Sequence, residues 1–516
     1  MADVAPVPAA AGISPEEILG RYRRARDRRL PCEGVWQECY DHVMARLPGS
    51  GGPALYDGTA ADAVEQLAAS LLAELTPPWS RWVGLRATRA EPDLDSPAAI
   101  AEARAVETAA ETLQGHIDRS NFAMEMHQAF LDLVIAGTGV LLVEEAPPGE
   151  ASALRFTAVP LREAVLEEGV SGRLDTVYRT ARLSPATLLS RFPRAVLPRA
   201  VRDRATEGEA AFLEVVEAVW PDAAPPGMRA PGSGYRYAAV LDDAGAGPVL
   251  LAEGRFAENP FVGFRWLKAP GESYGRGPVA KALPDIRTAN KVVELVLKNA
   301  SIAATGIWQA DDDGVLNPAT VRLVPGAIIP KAPGSAGLTP LAAPGNFNVS
   351  QIVLEDLRGR IRHALLADRL GPTLDARMTA TEVLERSAET ARLLGATYGR
   401  LQAELLTPLL LRCLSVLRRR GEVPAYLLDG QRAAVRFASP LARVQGREDA
   451  ANALLFLKAV AGIGPAATAQ IDPAGTTRWL ARTLGVPVEL LVGAVPASPE
   501  PAARPTPAAN PSAPQE

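Results

Sequence analysis

Apolar positions recur at helical spacing through most of the first 135 residues. Residues 14–47 read as a helix. Ser14 is a suitable N-cap, Pro15 fits the first turn, and Glu16 and Glu17 complement the positive end of the helix dipole. A Gly/Pro/Ser linker follows at 47–53. Between 59 and 75, Ala60, Val64, Leu67, Ala68 and Leu71 fall on one helix face, and Thr76-Pro77-Pro78 stops it. Trp79 and Trp82 come next as expected core anchors. Residues 96–134 read as two more helices, and 137–143 as a short buried strand. From 154 to 265 the pattern becomes β-rich, with strand candidates at 155–159, 176–180, 213–219 and 235–240 and a short helix within 184–204. Helices do not alternate regularly with strands, so a mixed α+β body is expected rather than a parallel sheet.

The next stretch carries two similar amphipathic rods. One helix is expected from near Pro284 to about 303, with Ile286, Ala289, Val293, Val296, Leu297 and Ala300 as its apolar stripe. Twenty such residues make a rod of about 30 Å. The second runs from about 349 to 368, with Leu354, Leu357, Ile361 and Leu365 on one face. Between them, 305–345 is turn-rich and β-like. After Leu370-Gly371-Pro372, Thr379 and Glu382 form a capping box. A very long helix follows to Arg420, which Pro408 should kink or split. Arg418-Arg419-Arg420-Gly421 is a basic last turn with a C-terminal Gly. A short strand is expected near 434–437, then helices at about 443–461 and 475–491. From 496 onward seven of 21 residues are proline, so that tail is expected to be disordered.

Composition narrows the function. The chain has 516 residues, a net charge of −5 and a pI near 5.7, which disfavours tight nucleic-acid binding but not loose passage of DNA. Residues 21–29 hold six arginines. They read either as a solvated helix face or as a contact for an acidic partner or DNA phosphates. Three cysteines, Cys32, Cys39 and Cys413, make no disulfide framework and fit a reducing compartment. The first residues lack the pattern of a signal peptide, and no apolar run is long enough to span a membrane.

No catalytic constellation emerges. Gly275-Arg276-Gly277-Pro278-Val279-Ala280 has the G-x-G-x-x-A form, but the acid about 20 residues on, Glu294, lies inside the following helix. The loop reads better as a Gly-permitted turn that aims that helix. No P-loop is present, and Asp311-Asp312-Asp313-Gly314 fails as a calcium loop because Gln309 and Thr320 would be its first and twelfth ligands. His42, His116, His127 and His363 sit in no catalytic or metal pattern. The expectation is therefore no enzyme, no cofactor and no metal.

Three stretches resemble the head-to-tail connecting (portal) family of short-tailed bacteriophages. They are Tyr56-Asp57-Gly58-Thr59-Ala60 with its helix ending in Leu75-Thr76-Pro77-Pro78; Tyr274-Gly275-Arg276-Gly277-Pro278 followed by Pro284 and Asn290; and Thr379-Ala380-Thr381-Glu382-Val383. They occur in the family's order and span roughly residues 15–490. The resemblance implies an elongated protomer: residues 1–277 as an N-terminal wing, helical then β-rich; 278–304 and 349–368 as stem helices; and 305–348 as a small β-rich clip. It further implies a tunnel loop at 369–378, a long wing helix and strand at 379–440, a helical crown at 441–495 and a tail at 496–516.

It also implies a ring of about twelve such subunits at one capsid vertex. The implied partners are the major capsid protein, scaffold, the terminase large subunit, a tail adaptor and double-stranded DNA in the channel, and the place is the virion. Arg358, Arg362, Arg369 and Arg377 are candidates for touching the passing DNA, each with a surface or inter-subunit salt bridge as its alternative. The main competing class is another capsid or tail structural protein with helical rods; a hydrolase is a distant third.

Overall fold

The computed structural model describes residues 13–44, 54–87 except 79, 97–206, 212–222, 234–243, 247–305, 308–310, 338–340, 347–370, 395–424 except 396, 433–437 and 440–484. The chain opens with α1 (Pro15–Val43), α2 (Thr59–Leu75), strand β1 (Val83–Ala87), α3 (Pro97–Asp118) and α4 (Phe122–Ala136). Ser14 caps α1 as expected, its Oγ accepting the Glu17 N–H at 3.2 Å. Ala60, Val64, Leu67, Ala68 and Leu71 on α2 are all buried. Trp82 is buried as well, 5.8 Å from Phe122, which meets Phe156 edge-on. Trp79 lies outside the described residues.

Two antiparallel sheets follow. β2 (Thr138–Glu145) is the centre of a three-stranded sheet between β3 (Leu154–Ala158) and β9 (Phe261–Arg265). The other is a five-stranded meander of β4 (Ala164–Glu168), β5 (Leu174–Leu183), β6 (Leu213–Pro221), β7 (Tyr235–Asp243) and β8 (Gly247–Phe256). α5 (Pro185–Arg191) and α6 (Arg199–Thr206) stand where one short helix was expected. Two-residue alternation gives the meander two apolar faces. One receives α1 through Ile18, Leu19, Tyr22 and Ala25 against Tyr178, Val216, Ala238 and Val240. The other packs Leu188, Phe192, Leu197 and Val201 against Val177, Val215, Val219 and Tyr237.

That packing accounts for four of the six arginines in the run. Arg21 pairs with Glu17, Arg23 with Asp242 and Arg28 with Glu167, while buried Arg29 donates to the carbonyls of Leu161, Arg162 and Ala164. For these four residues the acidic and carbonyl partners belong to the same chain.

The rods are α7 (Pro278–Thr305) and α8 (Phe347–Ala364), joined in sequence through a β-ribbon of β10 (Trp308–Ala310) and β11 (Leu338–Pro340). α7 begins six residues before the expected start near Pro284. Pro278 needs no N–H at the first position, and Pro284 lies on the exposed side, where water can serve the carbonyl its ring leaves unpartnered. The predicted stripe of α7 is covered only near its root. Ile286 and Ala289 are buried, whereas Leu297 is exposed. α8 ends earlier than expected. A turn containing Leu366 at φ 57° separates it from α9 (Ala367–Leu370).

The long C-terminal helix is broken ahead of Pro408 by a π-helical turn (Gln402–Leu406), after which α10 (Thr407–Arg419) continues. Pro408 removes one donor. Thr407 sends both its N–H and its Oγ1–H to the Gln402 carbonyl, which fixes the wider turn. Gly421 at φ 78° and the Glu422 N–H on the Leu417 carbonyl end α10 as a Schellman motif. β12 (Ala433–Phe437) returns to pair with β1. α11 (Pro440–Ile463), α12 (Pro465–Thr468) and α13 (Pro473–Leu484) complete the described chain. The largest core joins α2, α3, α4, the three-stranded sheet, α10 and the roots of both rods.

Candidate functional site

The residues singled out in the sequence converge where the rods leave this core. Gly137 ends α4 in the left-handed region at φ 85°, and its N–H reaches the Leu133 carbonyl at 3.0 Å. Its own carbonyl accepts the Trp266 N–H at 2.9 Å. Against this corner lies 275–277. A Cβ on Gly275 would stand 2.1 Å from the Gly137 carbonyl oxygen, and one on Gly277 would stand 2.5 Å from the Val134 carbonyl oxygen. Two backbones cross here at a distance only glycine permits.

Hydrogen bonds fix the crossing. The Gly275 N–H donates to buried Thr138 Oγ1 at 2.8 Å, and the Arg276 N–H donates to the Leu267 carbonyl at 2.7 Å. These amides, which a phosphate-binding loop would turn toward its ligand, are thus engaged by the chain itself. Tyr274 is buried, edge-on to Trp36 at 5.0 Å, and its hydroxyl accepts the Leu166 N–H at 2.9 Å. Burial pushes its phenol up to about 12. Arg276 is exposed and pairs with Glu272. Pro278, buried, is the first residue of α7. The loop therefore sets the direction in which that rod departs.

A second joint locks the rods to the N-terminal helices. Asn290 on α7 accepts the N–H groups of Tyr56 and Asp57 at 2.6 and 3.1 Å and donates to the Ala54 carbonyl at 3.1 Å. Asp57 accepts the Thr59 N–H at 3.0 Å and meets Arg358 of α8 at 2.8 Å. Burial raises the Asp57 carboxyl, but the Thr59 hydrogen bonds and the Arg358 guanidinium outweigh it and hold the group below its usual value. Arg360 of α8 pairs with Asp285 of α7 at 2.8 Å. Asn290→Ala should remove three hydrogen bonds to exposed or partly buried backbone groups that water can reach, at about 0.5–1.5 kcal/mol. A lower midpoint in thermal unfolding would register it, and an unchanged midpoint would remove the joint from the account.

Sequence reasoning passed over the partners. Gly137, Thr138 and Gly139 were read only as a strand, although two glycines around a threonine are a signal of close backbone approach. Buried Arg265 carries no sequence signal; its guanidinium is held by Glu404 from the π-helical turn at 2.7 Å and by Glu168 at 3.2 Å. Of the four arginines proposed to face DNA, Arg358 is engaged by Asp57 and Arg362 is exposed. Arg369 lies in α9, and its side chain is outside the described residues, as are Arg377, Thr379 and Glu382. Among the described residues no cluster of His, Cys, Asp and Glu could hold a metal ion, and no helix is long and apolar enough to cross a membrane.

Comparison with known proteins adds the family. Residues 15–491 match the model of the bacteriophage head to tail connecting protein. A probable portal protein of Bordetella phage BPP-1 is 25% identical over 507 residues, covering 92% of this chain and 88% of the relative. The portal protein of Escherichia phage T7 is 21% identical, over 80% of this chain and 76% of the relative. That of Salmonella phage epsilon15 is 22% identical, over 89% and 85%.

Proposed function

Because the chain belongs to the bacteriophage head to tail connecting protein family, we propose that it is the repeating subunit of a portal ring at one capsid vertex, the channel through which DNA is packaged and ejected. The observation that carries this is the family match along nearly the whole chain, from α1 to beyond α13. The architecture supports it. Two rods leave one rigid root and are joined through a β-ribbon, an arrangement that suits a stem of α7 and α8 with a clip around β10 and β11. The segment 369–378 would then be the tunnel loop and α11 to α13 the crown.

The family resemblance implies a ring of about twelve subunits, in which a closed cyclic assembly gives each copy two different faces to its neighbours. Its partners would be the major capsid protein and scaffold, the terminase large subunit during packaging and a tail adaptor. The role is structural and not enzymatic. A net charge of −5 suits a channel that must let DNA slide, because strong phosphate binding would arrest it. Exposed Arg362 is the described candidate for touching the backbone, since the charge of Arg358 is taken by Asp57.

Negative-stain microscopy and mass measurement of the purified protein should show rings of about twelve copies with an axial hole. A monomer under every condition, or ATP hydrolysis by the pure protein, would overturn this reading.

A further inference from the structure

α7 and α8 each carry an uncovered stripe, and the two stripes differ in sign. On α7, Thr288, Lys291, Leu295 and Lys298 recur every three or four residues and are exposed, Leu295 by 48% and both lysines by 62% of their side chains. The lysines share one carboxylate, Glu294, at 2.9 and 2.6 Å. An ammonium has three donors, so the stripe keeps unused donors and a net positive charge.

On α8, Ile352, Glu355, Asp356 and Gly359 are exposed on one side, Ile352 by 68%. A Cβ at Gly359 would meet nothing within 4 Å, so the surface there is flat and open. Counted outward along the rods from the Arg360–Asp285 ion pair, Lys291 and Leu295 lie at about the level of Glu355 and Ile352. At these two levels each stripe offers an apolar side chain with charge on its root side, at matching height and of opposite sign, and Lys298 lies farther out on α7.

We propose that these stripes are the two halves of one subunit contact: the basic stripe of α7 in one copy docks on the acidic stripe of α8 in the next. The inference rests on the ring reading and assigns it a register. Leu295 lies against Ile352, and Lys291, about one turn nearer the root, reaches Glu355 and Asp356. Single exposed ion pairs contribute little, but like charges set against each other across a packed contact cost far more and exclude the wrong register.

The test is charge reversal on the full-length chain, with assembly read by native mass measurement at low salt. Lys291→Glu with Lys298→Glu, or Glu355→Lys with Asp356→Lys, should each lower the ring fraction at least tenfold. Mixing the two variant chains should restore rings in which the two alternate, because every contact again joins opposite signs. Circular dichroism and thermal unfolding of each variant separate lost assembly from lost folding. Should a reversal impair folding, Lys291→Gln with Lys298→Gln carries the test through a flattened salt dependence of assembly.

Rings indifferent to both reversals overturn the contact and leave the ring reading intact. So do variants that fail alone and are not restored by mixing. A wild-type chain that forms no ring sinks the ring reading and the contact with it, and a simple dimer as the end product does the same.

Discussion

Gly277→Ala should yield little or no folded protein. A Cβ at this position would lie 2.5 Å from the Val134 carbonyl oxygen, 2.8 Å from the Gly137 nitrogen and 2.9 Å from the Ile135 carbonyl oxygen. All three are backbone atoms of the corner that closes α4, so no flexible side chain can move aside. Overpacking a core costs about 1–3 kcal/mol where side chains can adjust. Here the backbone must separate, which also strains the Gly275–Thr138 and Trp266–Gly137 hydrogen bonds. The loss should therefore exceed that range and take much of a typical stability of about 5–15 kcal/mol.

Soluble yield and thermal unfolding measure it, with Gly34→Ala as the control. Gly34 lies inside α1 with nothing within 4 Å of an added Cβ, so alanine there should stabilise by about 1 kcal/mol. If the two variants unfold alike, the backbones do not cross closely and the loop does not aim the rod.

This contrast shows what was legible in the sequence. Helix caps and faces are local, so Ser14, the α2 stripe and Gly421 could be read directly. β9 was missed because all five of its residues are buried, which erases the alternation that marks a half-exposed strand. β8 begins with Gly247-Pro248, a pair that reads as turn. The start of α7 was displaced in the reading from periodicity, though not in the 278–304 span the resemblance implied, because a proline normally marks a helix boundary, and Pro284 instead sits on an exposed face that tolerates it.

The site divides in the same way. The glycines of 275–277 could be flagged as a hinge from their type alone. What they cross could not, because Gly137 is far away in the chain. Asn290 and Asp57 were both inside stretches that resembled the family. Yet their bond spans 233 residues, and nothing local to either residue announces the other. The pairing of Arg265 with Glu404, 139 residues apart, depends in addition on the π-helical turn, and a sequence containing Pro408 announces only that some break must occur.

That pairing sets the second large effect, the cost of Glu404→Ala. Arg265 is 0% exposed. Its Nε and Nη2 donate to the two oxygens of Glu404 at 3.1 and 2.7 Å, its Nη1 to Glu168 and the Ser273 carbonyl at 3.2 and 3.1 Å, and its Nη2 also to the Gly172 carbonyl at 2.8 Å. Removing Glu404 leaves a buried guanidinium without its bidentate partner, which should cost about 3–5 kcal/mol in chemical denaturation. Arg265→Met with Glu404→Met removes both charges and should recover a large part of that loss. A double variant no better than Glu404→Ala would show that the π-helical turn, not the ion pair, holds α10 to the loop.

The same cluster predicts an acid limb. Burial raises the Glu168 carboxyl, but the Lys268 hydrogen bond and the Arg265 charge outweigh it and hold the group below its usual value. A carboxylate depressed by folding contributes stability above its unfolded pKa of about 4.3 and loses it as pH falls through the lower folded value. Wild-type stability should therefore decline below about pH 4.3 with a slope that Glu168→Gln flattens. Because Arg265 binds Glu168 and the Ser273 carbonyl through the same Nη1, proton uptake at Glu168 loosens the segment from which α7 departs. Acid should then weaken the root of the rod before it reaches the apolar core behind it. Earlier loss of amide protection at 265–278 than at α2 in hydrogen exchange would show this order, and simultaneous loss would refute it.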